Sequence, residues 1–313
     1  MILYALRRLG TGLVLAVLVT LIVYLLLSSS FGSIVHGIVG PAASPETIAE
    51  RTADMGLDRP ILVQYLDWLA HAVRGEFGVS YFTSEPVGQA VSSRLSVTMS
   101  IVIVALLTTA LVSVALGVLA ATHSGPIDRF AQAFSLTGTL VPNLLLAIGL
   151  VFVLAIELKL LPATGYTQFS EDPGRWAAAI TIPVIVLVIH GIANLTAQVR
   201  GAMIDELRKD YIRTLRTRGI STRSVVLRHA LRNAAGPALT VLSMEFIAMF
   251  GGALIIENVF ALPGFGSFAF TAALQGDVPV IMGITLFAVA LVVGVNLTVD
   301  LVNGWLNPKA RIH

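Results

Sequence analysis

The sequence predicts an all-α polytopic membrane protein with six transmembrane helices. Three observations carry this. The 313 residues are 56% hydrophobic and only 12% charged, whereas a soluble globule is nearer half apolar and a quarter charged. Six stretches are apolar over the ~20 residues a helix needs to cross ~30 Å of hydrocarbon. The basic residues gather at one set of span ends.

The spans fall at about Leu9–Leu27, Val97–Ala121, Phe134–Ile156, Ile180–Val199, Pro237–Ile256 and Val280–Val302. The first follows Arg7 and Arg8 as a signal peptide would, but its apolar core is too long for one, so it reads as a retained anchor. A long first loop, Ser28–Arg94, comes next. Within it Ser44 can cap a helix over Pro45–Met55, with Pro45 at the first helical position. Arg59–Gly75 reads as a second helix, because Ile61, Tyr65, Trp68, Leu69 and Ala72 recur at helical spacing. It serves either as a packed loop helix or as an interface. No discontinuous span is evident. Asn258–Gly276 is uncharged, yet Pro263, Gly264 and Gly266 break it near its start, which favours a short or re-entrant segment over a seventh span. With no repeat and no low-complexity linker, residues 1–313 read as one membrane domain.

Orientation follows from charge, since Arg and Lys in short loops stay in the cytoplasm. Both termini inside puts 14 basic residues inside, including Arg7, Arg8, Arg129, Lys309 and Arg311, against six outside. Nine of the 14 lie between Arg200 and Arg232, accompanied by only three acids, Asp205, Glu206 and Asp210. This window is the loop between spans four and five, residues 200–236. In it Ile204, Leu207, Tyr211 and Leu215 form an apolar stripe on a short helix. Asp205 can pair with Lys209 at i,i+4. Gly219 fits the left-handed position that ends a helix. Ser221 can cap the next helix, which carries Val225, Val226, Ala230 and Leu231, and Pro237 marks the start of span five.

Catalytic signatures are absent. The chain has no cysteine, so thiolate chemistry and disulfides are excluded. No phosphate-binding G-x-x-x-x-G-K-[ST], no H-E-x-x-H and no G-x-S-x-G occurs. Nucleic acid is not indicated either, because the basic window is flanked by long uncharged runs. Ionisable groups within spans are the remaining signal, since they are expensive there. Glu245 lies midway along span five. Asn296, Asp300 and Asn303 share a face of span six, and His190 and Asn194 are i,i+4 neighbours in span four. Two readings stay open for these groups: a polar translocation path, or hydrogen bonds between helices. Glu157 and Glu257 fall at outer span ends, within reach of water.

The basic loop "YIRTLRTRGISTRSVVLRHALRNAAGPALT" resembles the cytoplasmic loop of the permease subunits of dipeptide and oligopeptide ABC importers. "MGLDRPILVQYLDWL" and "RGEFGVSYFTSEPV" resemble that family's first outer loop, "IIENVFALPGFGSF" its link after span five, and "NLTVDLVNGWLNPKAR" its C-terminal end. The resemblance covers nearly the whole chain. It implies the type I ABC importer permease fold with a coupling helix in the loop's E-A-A segment. Here those positions are Arg213, Thr214 and Leu215, and the family's common Ala-Lys-Gly is Thr217-Arg218-Gly219. Coupling to the ATPase would then involve Leu207, Tyr211, Arg213, Thr214, Leu215, Arg216, Arg218, Gly219, Ile220 and Ser221. Glu245, Asn194, Asn296 and Asp300 would line the path.

The partners so implied are a second related permease, two ABC ATPase domains, an extracytoplasmic substrate-binding protein and the lipids of the bacterial inner membrane. ATP and Mg would be bound by those ATPase subunits, with no cofactor in this chain. The family's substrates are dipeptides and longer peptides and, in some members, nickel chelates, glutathione or haem. The alternative is a secondary transporter or channel acting without an ATPase, which would place its ions at broken helices near the midplane. A membrane-embedded enzyme is disfavoured by the missing catalytic motifs.

Overall fold

The computed structural model describes residues 2–40, 42–123 and 125–306. Lys309 and Arg311 lie outside the described residues. Helices form nearly all of it: α1 (Ile2–Ser28), α2 (Phe31–Val39), α3 (Pro45–Asp54), α4 (Ile61–Ala72), α5 (Val87–Thr122), α6 (Pro126–Gly138), α7 (Asn143–Leu150), α8 (Pro173–Leu207), α9 (Asp210–Thr217), α10 (Thr222–Ser224), α11 (Leu231–Val259), α12 (Phe265–Gln275) and α13 (Val278–Leu306). A π-helical turn, Val151–Glu157, extends α7, and a second, Val225–Ala230, joins α10 to α11 in one 38-residue rod, Thr222–Val259.

Five helices are long and apolar enough to cross a membrane, or six if one bent pair is a single span. That pair is the third expected span. A straight helix over Phe134–Ile156 is not what forms: α6 and the α7 rod meet at 103°. Pro142 accounts for the break. It has no N–H to donate and it pushes Val141 out of the helical region, so the chain turns and restarts with Pro142 extended at φ −61, ψ 132. The stretch is therefore broken where the sequence reads as continuous. The remaining spans exceed their apolar windows, because hydropathy marks the lipid-crossing part while backbone hydrogen bonding continues into polar flanks. Thus α8 begins at Pro173, where Asp172 accepts from Arg175 N at 3.0 Å, and α11 carries Pro237 inside the rod rather than at its start.

The chain divides into two compact units. One comprises Ile2–Val97 and Pro263–Gly294. Its α3 forms as expected, with Ser44 Oγ accepting from Thr47 N at 3.3 Å ahead of Pro45. In α4 the buried face is Gln64, Tyr65 and Ala72, whereas Ile61 is exposed. Gln64 is held by Tyr24, whose hydroxyl donates to its Oε1 at 2.8 Å, and Tyr65 donates to the Val17 carbonyl at 2.9 Å. Asn258–Gly276 contains α12 as an 11-residue helix, closed by Gly276 in the left-handed region. Asp277, just before α13, is buried and accepts from Ser80 Oγ at 2.5 Å.

The other unit comprises Thr98–Leu262 and the chain from Val295 onward. Its core gathers Val118 of α5, Leu195, Val199 and Met203 of α8, Ile212 of α9, and Val225, Val226, Ala230 and Ala234 of the last rod. Helices approach closely at Gly191, where an added Cβ would stand 2.7 Å from Met249 Cε and 3.0 Å from Thr109 Cγ2. Small residues at such crossings let transmembrane backbones pack where the lipid gives no hydrophobic driving force.

Candidate functional site

The basic window forms an elbow between α8 and the α10–α11 rod. The helix of span four ends at Leu207, Lys209 is extended at φ −69, ψ 149, and α9 restarts at Asp210. It ends in a Schellman motif: Ile220 N donates to Leu215 O at 3.2 Å and Gly219 N to Arg216 O at 3.0 Å. Gly219 has φ +78, the left-handed conformation that only glycine adopts without steric cost. Ser221 occupies the N-cap position of the next helix with extended backbone, but its side chain makes no capping bond.

Two local readings need correction. Ile204 and Leu207 belong to α8 and Tyr211 and Leu215 to α9, so the expected stripe crosses a helix break. It also points inward. Leu207, Tyr211, Leu215 and Ile220 pack against the buried Ile212 and its core neighbours. What α9 turns outward is polar and basic: Arg213, Thr214, Arg216 and Thr217 are exposed, as is Arg218 at its cap. Those three arginines make no ion pair among the described residues. Lys209, in turn, pairs with Glu206 at 2.5 Å and not with Asp205. The reason is the break itself, which takes Lys209 off the helical i,i+4 track.

Glu206 ties the elbow together. Its side chain is only 7% exposed. Oε2 accepts from Lys209 Nζ, and Oε1 accepts from the Tyr211 hydroxyl at 2.7 Å. Asn233 Nδ2 of α11 donates to that same hydroxyl at 3.1 Å. Burial first, and then the Glu206 carboxylate, push the Tyr211 phenol above its ordinary value. Two turns back along α8, Arg200 reaches α6 and grips Asp128 with both arms, at 2.5 and 3.0 Å. The sequence reading missed Glu206, Asn233 and the Arg200–Asp128 pair. A signal for Glu206 existed: Leu195, Val199 and Met203 recur at helical spacing on one buried face of α8, and Glu206 is the next on it.

Within the spans the structure brings two expected residues together. Asn194 Nδ2 of α8 donates to Glu245 Oε1 of α11 at 2.6 Å. Glu245 is 3% exposed, while Asn194 lies on an exposed face of α8. Asn296, Asp300 and Asn303 sit half-buried on α13, and His190 is half-buried on α8. Glu157 is exposed at its helix end, but Glu257 is not within reach of water: it is fully buried and Thr98 Oγ1 donates to its Oε1.

Fold and site define a multi-pass helical membrane subunit with an outward basic elbow between two spans and an uncommon buried carboxylate in one of them. Residues 113–312 match the family of binding-protein-dependent transport system inner membrane components, and residues 1–102 match the N-terminal component of the same systems. The chain belongs to this family. It is similar to a probable peptide ABC transporter permease protein of Sinorhizobium fredii, 35% identical over 98% of this chain and 99% of that one. It is also similar to a metal-staphylopine import system permease protein of Staphylococcus aureus, at 31% over 89% and 87% of the two chains. An oligopeptide transport system permease protein of Bacillus subtilis is 29% identical over 98% of each. The chain is thus a permease subunit of an ABC importer with the type I fold, a multi-pass inner-membrane protein and not an enzyme. ATP hydrolysis belongs to separate subunits, and the family works with a binding protein. A solitary carrier or channel is not favoured.

Proposed function

We propose that this chain and a second, related permease form the path of a peptide importer driven by two ATPase domains, and that α9 is the element that docks into the ATPase. The observation that carries the docking reading is the outward face of α9. Arg213, Arg216 and Arg218 stand exposed on a short helix fixed at one end by the Gly219 elbow and at its base by Ile212 in the core. Thr214 shares that face, and Ser221 is exposed beside the elbow. A cleft that receives it must offer carboxylates. The inward residues Leu207, Tyr211, Leu215 and Ile220 then join α9 to the spans and do not touch the partner.

ATP and Mg are bound in those ATPase domains, and both termini of this chain lie in the cytoplasm. The 14-to-6 division of basic residues supports that orientation. The names of the peptide-permease relatives support peptide as the cargo. Glu245 and Asn194 form a polar pair on the path, joined by Asn296 and Asp300 of α13.

Co-purification tests the docking. The wild-type permease is expected to bring ATPase subunits with it, and the Arg213→Glu/Arg216→Glu variant to lose most of them. Full recovery of ATPase with the charge-reversed variant would refute the basic-face reading. A C-terminal fusion reporter that is active only outside the membrane would refute the orientation. Uptake of labelled di- and oligopeptides by cells carrying the complete importer, against cells lacking this chain, checks the cargo.

A further inference from the structure

We propose that Glu206 is a positioning residue for coupled transport: its carboxylate, through Tyr211, clasps α9 to both spans that leave the elbow. Three elements meet at this one group. Glu206 belongs to the last turn of α8, Lys209 and Tyr211 to the entry of α9, and Asn233 to α11. Each carboxylate oxygen has one donor, Lys209 at 2.5 Å and the Tyr211 hydroxyl at 2.7 Å, and Asn233 closes the chain of bonds at 3.1 Å.

Apolar packing alone would hold α9 to the core but leave its tilt adjustable, because such contacts have no direction. Hydrogen bonds are directional, and they are strong where a buried carboxylate is one partner. An α9 pushed by a partner therefore moves α8 and α11 with it. α8 and α11 are also the helices that carry Asn194 and Glu245. The clasp rests on the reading that α9 is the docking helix.

The experiment uses the assembled transporter, with ATP, Mg and vanadate as the probe. The chain has no cysteine, so single ones can be placed freely. Thr214→Cys, on the outward face of α9, reports docking by cross-linking to the ATPase. Met244→Cys, exposed on α11 beside Glu245, carries an environment-sensitive fluorophore that reports motion of the span. In the otherwise wild-type chain both the cross-link and a nucleotide-dependent change in fluorescence are expected.

Tyr211→Phe keeps the ring and the Glu206–Lys209 pair but cuts the bonds to Glu206 and Asn233. It should cross-link as before while the fluorescence change falls about threefold to tenfold, the order expected when the hydroxyl's bond to Glu206 is lost. Glu206→Gln, which places an amide against Lys209, should act in the same direction. An unaltered fluorescence response in a cross-linking Tyr211→Phe complex overturns the clasp and leaves the docking intact. Loss of the cross-link in Tyr211→Phe assigns the residue to docking or folding and also overturns it. A wild-type complex that fails to cross-link, or a label that ignores nucleotide, removes the docking reading and the clasp with it.

Discussion

Glu206 and Glu245 are both carboxylates buried in the same unit, and the surroundings of each differ in kind. Glu206 has a cation and a phenol on its two oxygens, and the phenol is itself anchored to another helix. Glu245 has one neutral donor among the described residues, the Asn194 amide, and that amide lies on an exposed helix face. A buried charge supplied with several donors is stabilised where it sits. Glu245 has one such partner, so the proposed path role and a purely structural hydrogen bond make different predictions for it.

The largest effect is expected at the elbow. Glu206→Ala leaves the half-buried Tyr211 hydroxyl without its acceptor, while the exposed Lys209 amine returns to water. Thermal unfolding of the purified permease should show a loss of about 1 kcal/mol, the weight of one hydrogen bond. An unchanged midpoint would mean that the network adds nothing to stability.

Gly219→Val acts at the same elbow. Nothing lies within 4 Å of a Cβ added there, so the penalty is conformational and not a clash with neighbours. The left-handed backbone costs a branched residue at least about 1–2 kcal/mol, a factor of roughly 5–30 in an equilibrium. The spans should still insert, and binding-protein-stimulated ATP hydrolysis of the complex should fall by that order. Full stimulation would show that the elbow's geometry is not what couples the subunits.

A smaller effect is expected from Glu245→Gln in the span. The shape and a bond to Asn194 can survive, and the change is confined to one buried hydrogen bond, worth about 1 kcal/mol. Melting should be nearly unaltered while peptide uptake drops by roughly fivefold. The reverse pattern, a lower midpoint with uptake intact, would make this pair a structural hydrogen bond only.

The smallest effect is alkaline. Tyr211 has its phenol raised above the usual ~10 by burial and by Glu206. The neutral form is therefore favoured in the folded chain. Its contribution is fully present below pH ~10 and is lost as pH rises through the higher folded value. Tyr211→Phe should remove that alkaline loss from a melting-versus-pH profile, and a profile identical to wild type would show that the bond does not report on folding.

Composition and hydropathy alone set the class of fold and the place of the basic loop, whereas the crossings number five, or six with the bent pair. Class and loop follow from composition and from residues counted along a line: runs of ~20 apolar residues, and arginines gathered in one loop. The sequence also determined Gly219, because a helix ended by glycine is a local event settled within five residues. The chain alone did not show which way the elbow faces. Along the sequence Leu207, Tyr211 and Leu215 fall on one helical stripe, but α8 stops at Leu207 and shifts the phase of everything after it. No glycine or proline marks that break, so tertiary packing sets it. The break between α6 and α7 has a visible cause in Pro142, but nothing along the sequence gives its 103° angle. The partners of Glu206, Glu245 and Glu257 were decided only in three dimensions. Asn194 and Glu245 are 51 residues apart, and Thr98 and Glu257 are 159 apart. Hydrogen bonds at such separations depend on which helix faces meet, a property that no local pattern of residues carries.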